Sequence, residues 1–254
     1  MTTEISSSKP SSDAQPVSSA TAVKKAVGSA SGHGDNHHAS DKHAAEQAAA
    51  HTTADGLASL LQELKSVDCV RRAAAAEALG RTANASVAPA LITALRDSDA
   101  DVAREAATSL GSLGSAVAVE PLIAVLNNRE EYYHSVVRAA ASHSLGQLRD
   151  LRAVPPLLDA INDPFAEASA EAIRALASLA DPRGIPALLQ VVRNQHGYFL
   201  DVTRHAAILG LAQIGGEQAA CELRFVASNQ WENAVIRAAA IAATPKCRGS
   251  AANA

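Results

Sequence analysis

The chain contains few aromatic residues and few cysteines. Of its 254 residues seven are aromatic (three Tyr, three Phe and one Trp), and none of them precedes position 132. The three cysteines, Cys69, Cys221 and Cys247, lie far apart without a C-x-x-C pair. This spacing argues against a disulfide framework and an all-cysteine zinc site. No run approaches about 18 consecutive apolar residues, so the sequence predicts no membrane span.

Neither sign of charge is in large excess. The formal net charge is −4 and the pI is near 6.1, with no cluster of Lys or Arg. Such a chain has no broad electrostatic attraction to nucleic acid or to an anionic membrane surface. Because the N-terminus has no apolar signal region either, we expect a reducing, aqueous, cytoplasmic setting.

Residues 1–54 are rich in Ser, Ala, Thr and His. A segment with so few branched apolar side chains cannot bury enough surface to offset its ordering entropy, so it is predicted to be a disordered tail. Two interpretations of its histidines stay open: a solvated linker, or a transient Zn or Ni site formed with Asp35 and Asp41. The histidines concerned are His33, His37, His38, His43 and His51.

The remainder of the chain repeats. Pairs of Ala-rich and Pro-initiated apolar segments recur, and the spacing between equivalent leucines alternates between 31 and 35 residues: Leu79, Leu110, Leu145, Leu176 and Leu211. A period in this range indicates stacked helix pairs, because a single pair cannot bury its own apolar face. We therefore predict an all-α fold, an α-solenoid of about five helix pairs over residues 55–245, followed by a flexible tail at 246–254.

Small residues follow the repeated leucines. Gly80, Gly111 and Gly146 each come directly after one, which predicts a close approach between neighbouring helices. Gly114 and Gly215 stand where helices are expected to stop.

Four of the seven aromatic residues lie in the two longer connections between helix pairs, residues 127–135 and 193–201. Each connection also carries a histidine, and the two connections lie at the same edge of the predicted stack. Aromatic side chains in loops are candidate binding anchors, although they could equally fold back over the helix ends. The candidates are Tyr132, Tyr133, His134, His196, Tyr198 and Phe199. The other three aromatics, Phe165, Phe225 and Trp231, are predicted to have core or end-cap roles.

Arginines recur as well. Arg72, Arg138 and Arg204 each lie seven residues before a repeated leucine. They could form a ladder that binds acidic groups of a partner, which makes Arg138 and Arg204 candidate binding residues. The favoured alternative is pairing inside the array, with carboxylates such as Asp159 and Asp163.

The pattern V-R-x-A-A-A-x-x-L-G-x-L, a polar turn and A-V-x-P-L-L-x-A-L resembles HEAT repeats of the phycobilisome-lyase type, over residues 55–244. The resemblance implies a scaffold or adaptor that binds protein partners, with a phycobiliprotein subunit among the candidates. It also implies an alternative: a phycobilin lyase or lyase subunit that attaches or transfers bilin, with the aromatic-histidine connections as contacts. Beyond a bilin ligand no cofactor is expected, and no catalytic or metal-binding residue is predicted.

A third possibility from the resemblance is deoxyhypusine hydroxylase, whose repeats bind two irons through His-Glu pairs. Those pairs would stand six and five residues before each repeated leucine. The corresponding positions carry Ala73-Ala74, Arg104-Glu105, Ala139-Ala140, Ala170-Glu171 and His205-Ala206. Because no His-Glu pair occurs, the iron ligands are missing and this activity is rejected.

Overall fold

A computed structural model describes residues 53–128 and 133–247. Outside the described residues lie residues 1–52 of the predicted tail, residues 129–132 with Tyr132, and the residues from 248 onward. Within these ranges the chain forms α-helices and short 3₁₀ turns, and no strand. None of the described helices is both long and apolar enough to cross a lipid bilayer.

The described part of the chain contains twelve α-helices. They are α1 (Ala54–Glu63), α2 (Cys69–Arg81), α3 (Ala88–Ala94), α4 (Ala100–Leu113), α5 (Val119–Asn127), α6 (Ser135–Leu148), α7 (Val154–Ala160), α8 (Ala166–Leu179), α9 (Ile185–Arg193), α10 (Asp201–Ile214), α11 (Glu217–Ser228) and α12 (Ala234–Cys247).

The helices alternate between two layers. The first helices, α2, α4, α6, α8, α10 and α12, pack side by side in chain order. The second helices, α1, α3, α5, α7, α9 and α11, each pack against the first helix that follows. Because the first helices pack in chain order and each second helix packs against the first helix that follows it, the predicted all-α solenoid of HEAT-like helix pairs is confirmed.

The repeated leucines form the core between the layers. All five leucines of the first helices are fully buried, and so are five of the second helices: Leu79, Leu110, Leu145, Leu176, Leu211, Leu91, Leu122, Leu157, Leu188 and Leu223. The 31- and 35-residue spacing thus returns the same side chain to the same layer of the core.

Small residues allow the first helices to touch. A Cβ atom at Gly80 would collide with the Oγ of Ser109 and lie 2.8 Å from the Ser109 Cα. The Ser109 hydroxyl donates to the carbonyl of Ala76 at 2.8 Å, and Ser144 donates in the same way to Ala107 at 2.8 Å. The predicted close approach at these glycines is confirmed, and the serine hydroxyls bond across it without leaving a buried donor unpaired.

Helix ends also follow the sequence. Gly114 caps α4 in the left-handed region at φ 65°, and Gly215 ends α10 at φ 80°, as predicted. Prolines stand in the first turn of the second helices, for example Pro89 in α3 and Pro186 in α9, where the missing N–H has no helical partner.

Candidate interaction edge

The turns that join each second helix to the next first helix lie at one edge of the stack, called here the connection edge. In each of its two long turns, an asparagine at the helix end forms the same hydrogen bond. Asn128 and Asn194 end α5 and α9 with left-handed backbones, φ 37° and 44°. The Asn128 side-chain oxygen accepts from the backbone N–H of Tyr133 at 2.7 Å, and Asn194 accepts from Phe199 at 2.8 Å. This asparagine clamp recurs in the described parts of both connections.

The clamp sends the second aromatic of each connection inward. Tyr133 and Phe199 are half-buried and pack against the core. Tyr198, by contrast, is 59% exposed, and its ring meets the edge of Phe199 at 5.0 Å between centroids. Tyr132, the counterpart of Tyr198, lies outside the described residues. Of the six predicted connection residues, His134, His196 and Tyr198 therefore present exposed side chains.

The repeated arginines clip consecutive turns of this edge together. Arg138 holds Asp163 with two hydrogen bonds of 2.6 and 2.9 Å and donates to the carbonyl of Tyr133 at 2.6 Å. Arg72 likewise donates two hydrogen bonds to the Asp97 carboxylate, both of 2.7 Å. The pairing of Arg138 with Asp163 inside the array, favoured from the sequence, is confirmed.

Arg204 completes the series at the C-terminal side. Its guanidinium bonds Glu232 at 2.9 and 2.8 Å and the carbonyl of Val192 at 2.9 Å. Arg138 and Arg204 are 9% and 7% exposed. Their charges are therefore engaged internally, and of the predicted candidates they are the two with buried side chains.

These arginine–carboxylate pairs predict that the stability of the fold decreases at acid pH. Hydrogen bonds from Arg72 and Arg204 lower the pKa of Asp97 and of Glu232. A carboxyl with a lowered folded-state pKa stabilises the fold above its unfolded pKa of about 4, and this stability is lost as the pH falls through the folded-state pKa. We expect the melting temperature to drop below about pH 4, and the drop to be smaller in Asp97→Asn/Glu232→Gln.

Thermal melts from pH 7 to pH 3 would test this expectation. Asp159→Asn is the control, because the Asp159 side chain is exposed and has no partner among the described residues. If the melting temperature of the double variant falls at low pH as much as that of the parent chain, Asp97 and Glu232 do not cause the acid sensitivity.

The first helices differ at their N-caps. Asp68, Asp99 and Asn233 accept hydrogen bonds from the first-turn N–H groups of α2, α4 and α12. The three helices between α4 and α12 in the layer have no such side-chain cap, because their N-cap residues are His134, Phe165 and Leu200. Each missing cap forgoes about 1 kcal/mol of stability.

The residues that replace the caps are exposed. Phe165 is 55% exposed and Leu200 63%, and beside them stand Tyr198 and Trp231, the latter 88% exposed. The predicted core or end-cap roles of Phe165 and Trp231, and of Phe225 at 65% exposure, are therefore wrong. The sequence signal for Phe165 was its position in the helix register, where two earlier repeats carry aspartate.

Hydrogen bonds between neighbouring turns make this a continuous surface. The Tyr198 hydroxyl donates to the carbonyl of Asn162 at 3.4 Å, next to Phe165. The Asn233 side chain donates to Asp201 at 2.8 Å, linking the start of α12 to the start of α10. Two clefts of ≈ 730 and ≈ 440 Å³ flank Phe165 and Tyr198 and share Asn162. We call Phe165, Tyr198, Leu200 and Trp231 the apolar row.

Restoring a cap should stabilise the fold. Leu200→Asn is expected to raise the unfolding free energy by about 1 kcal/mol, and hence the melting temperature by about 2–4 °C, because an asparagine oxygen can accept the first-turn N–H groups of α10. Asp99→Ala removes an existing cap of α4 and should give the opposite shift. Differential scanning calorimetry measures both; a Leu200→Asn protein that melts lower would contradict the missing-cap assignment.

The described residues contain no group of three or more His, Cys, Asp or Glu side chains placed to hold a metal ion. What the edge presents is contact area, hydrogen-bonding amides and two clefts, on a stack of paired helices. A sequence profile of HEAT repeats matches residues 57–136, 132–201 and 155–244, most of the chain. The chain belongs to the HEAT-repeat family. The resemblance noted in the sequence is therefore confirmed at the level of the repeat.

Solved structures share this HEAT-repeat architecture. An engineered protein matches with 21% identity over 75% of this chain and 95% of its own, at a TM-score of 0.51. An archaeal HEAT-like repeat protein from Thermococcus onnurineus NA1 matches with 14% identity over 80% and 92%, at 0.50. The complex of CpcE and CpcF of phycocyanin lyase from Nostoc sp. PCC7120 matches with 19% identity over 85% and 91%, at 0.49. At these identities the likeness concerns the fold. A search of curated protein sequences found no match.

Proposed function

We propose that this HEAT-repeat chain is a protein-interaction module whose binding surface is the apolar row of the connection edge. The observation that carries the proposal is the loss of side-chain caps on α6, α8 and α10, with exposed Phe165 and Leu200 in two of those positions. Stability of the fold alone would favour Asp or Asn at these N-cap positions. Residues that lower stability without a compensating contact inside the chain are typical of a functional surface.

The composition of the row supports a protein partner. Tyr and Trp supply large, stiff contact area and are enriched among the residues that dominate binding energy. Phe165, Tyr198 and Trp231 come from three consecutive turns, so one partner surface can contact all of them. Exposed apolar side chains gathered in one row mark interaction sites more often than the same residues scattered singly.

Site-specific photocrosslinking tests this proposal. A photoreactive amino acid at Tyr198 or Phe165 should crosslink one and the same protein in the source cells. The matched controls are Val117 and Leu151, which are 61% and 53% exposed in turns at the opposite edge of the stack. Equal crosslinking from both edges, or none from Tyr198 and Phe165, would contradict the proposed surface.

Bilin binding is a second candidate, supported by the cleft that Tyr198 and His196 line with exposed side chains. Mixing the protein with a free bilin should then shift the bilin absorbance, and Tyr198→Ala should remove the shift. An unchanged bilin spectrum, together with an edge-specific protein crosslink, favours the adaptor.

A further inference from the structure

Three arginines of the connection edge form ion pairs inside the chain. Arg138 is paired with Asp163, Arg204 with Glu232, and Arg193 with Glu222 at 2.6 Å. Their positive charges are therefore engaged before any partner arrives. Arg237, near Trp231, donates instead to the carbonyl of Gln230 at 3.2 Å and has no ion pair among the described residues. The two histidines of this edge, His134 and His196, have exposed side chains.

Two carboxylates beside Phe165 have no partner inside the described chain. Asp159 and Glu167 are exposed and have neither a hydrogen bond nor an ion pair from their side chains among the described residues. Asp159 lines the same cleft as Phe165, and Glu167 stands two residues after Phe165 in the first turn of α8. Asp201, next to Leu200, is 53% exposed in its side chain and lies 3.8 Å from Arg204. The unbalanced charge beside Phe165 and Leu200 is therefore negative.

The aromatic side chains add a second preference for cations. The Arg138 guanidinium lies 5.7 Å from the centroid of the Phe165 ring, so this ring already contacts one cation from inside the chain. The rings of Tyr198 and Trp231 are exposed. Exposed aromatic faces attract Lys and, more often, Arg side chains, because the ring quadrupole places negative potential on the face.

We infer that the partner contacts the apolar row with a segment that carries Arg or Lys among apolar side chains. This inference rests on the proposed function and names the chemistry of the partner. The apolar side chains of such a segment cover the row, and its cations meet Asp159, Glu167 and the aromatic faces. A segment that carries Asp or Glu instead would face like charges at the same positions.

Trp231 gives a direct readout. It is the only tryptophan of the chain, and a segment that covers it moves its emission to shorter wavelength. The probes are two short synthetic peptides without tryptophan, identical in their Leu and Phe positions, with Arg in one and Glu in the other at the intervening positions. The full chain is titrated with each peptide at low and at high salt.

The Arg peptide should shift the Trp231 emission and bind about tenfold more tightly than the Glu peptide at low salt, with the difference shrinking at high salt. Asp159→Asn/Glu167→Gln should weaken the Arg peptide by about threefold per removed charge. Glu217→Gln, which removes an exposed carboxylate from the first turn of α11 at the opposite edge, should not.

Equal affinities, tighter binding of the Glu peptide, or no binding of either would overturn the inference of a basic segment. The crosslinks from Tyr198 and Phe165 test the binding surface itself. If a partner crosslinks only from the connection edge and binds Asp159→Asn/Glu167→Gln as tightly as the parent chain, that result would support the proposed function and contradict only the inference of a basic segment.

Discussion

Replacing Leu145 with alanine is expected to lower the unfolding free energy by about 2–5 kcal/mol. Leu145 is fully buried in α6, which packs between α4 and α8, so the removed methyl groups leave a cavity that neighbours on both sides share. The stiff contact between first helices limits how far this cavity can close. Urea unfolding followed by circular dichroism measures the change.

The control for Leu145 is Leu151→Ala. Leu151 is 53% exposed in the turn before α7, so its truncation removes little buried surface. We expect a change within about 0.5 kcal/mol there. Similar losses at Leu145 and Leu151 would contradict the assignment of the repeated leucines to the core.

Replacing Asp163 with alanine is expected to lower the unfolding free energy by about 3 kcal/mol, because it leaves the mostly buried Arg138 guanidinium without its anion. The two side chains are 11% and 8% exposed and share two hydrogen bonds. Thermal and urea unfolding measure the change. Arg138→Met/Asp163→Leu, which removes both charges, should recover part of the loss.

An exposed pair is the matched control for Asp163. Glu120 bonds Arg152 at 2.9 Å, but the two side chains are 67% and 53% exposed, and Arg152 also bonds Asp150. Glu120→Ala should therefore change the stability by less than about 1 kcal/mol. A loss as large as that of Asp163→Ala would show that burial does not decide the effect.

The repeat was predictable from the sequence because one physical requirement recurs in every pair. A leucine must return to the core, which placed Leu79 and Leu145 correctly, and a small residue must follow it where helices touch, which placed Gly80 and Gly146. The pairing of Arg138 with Asp163 followed from the same register. The partners of Arg72 and Arg204, Asp97 and Glu232, were not predicted, because a charged residue in a turn has several neighbours within reach.

The candidate surface was predictable only in part. The sequence pointed to the long connections, and Tyr198 is exposed there, but it did not separate Tyr198 from Phe199, whose orientations depend on the Asn194 clamp. An aromatic residue is usually buried, which favours a core position for Phe165, whereas its N-cap position favours exposure. The register contained that signal: the equivalent residues of the first two repeats are Asp68 and Asp99, which cap their helices.

The most direct test of the apolar row as a binding surface compares stability and binding in one variant, Phe165→Asn/Leu200→Asn. Binding is measured to the partner recovered by crosslinking at Tyr198. We predict that the variant melts at the same or a higher temperature than the parent chain, because two caps are restored, while its affinity for the partner falls by about tenfold or more. Unchanged affinity in a variant of equal or greater stability would contradict the claim that these positions forgo their caps to bind a protein.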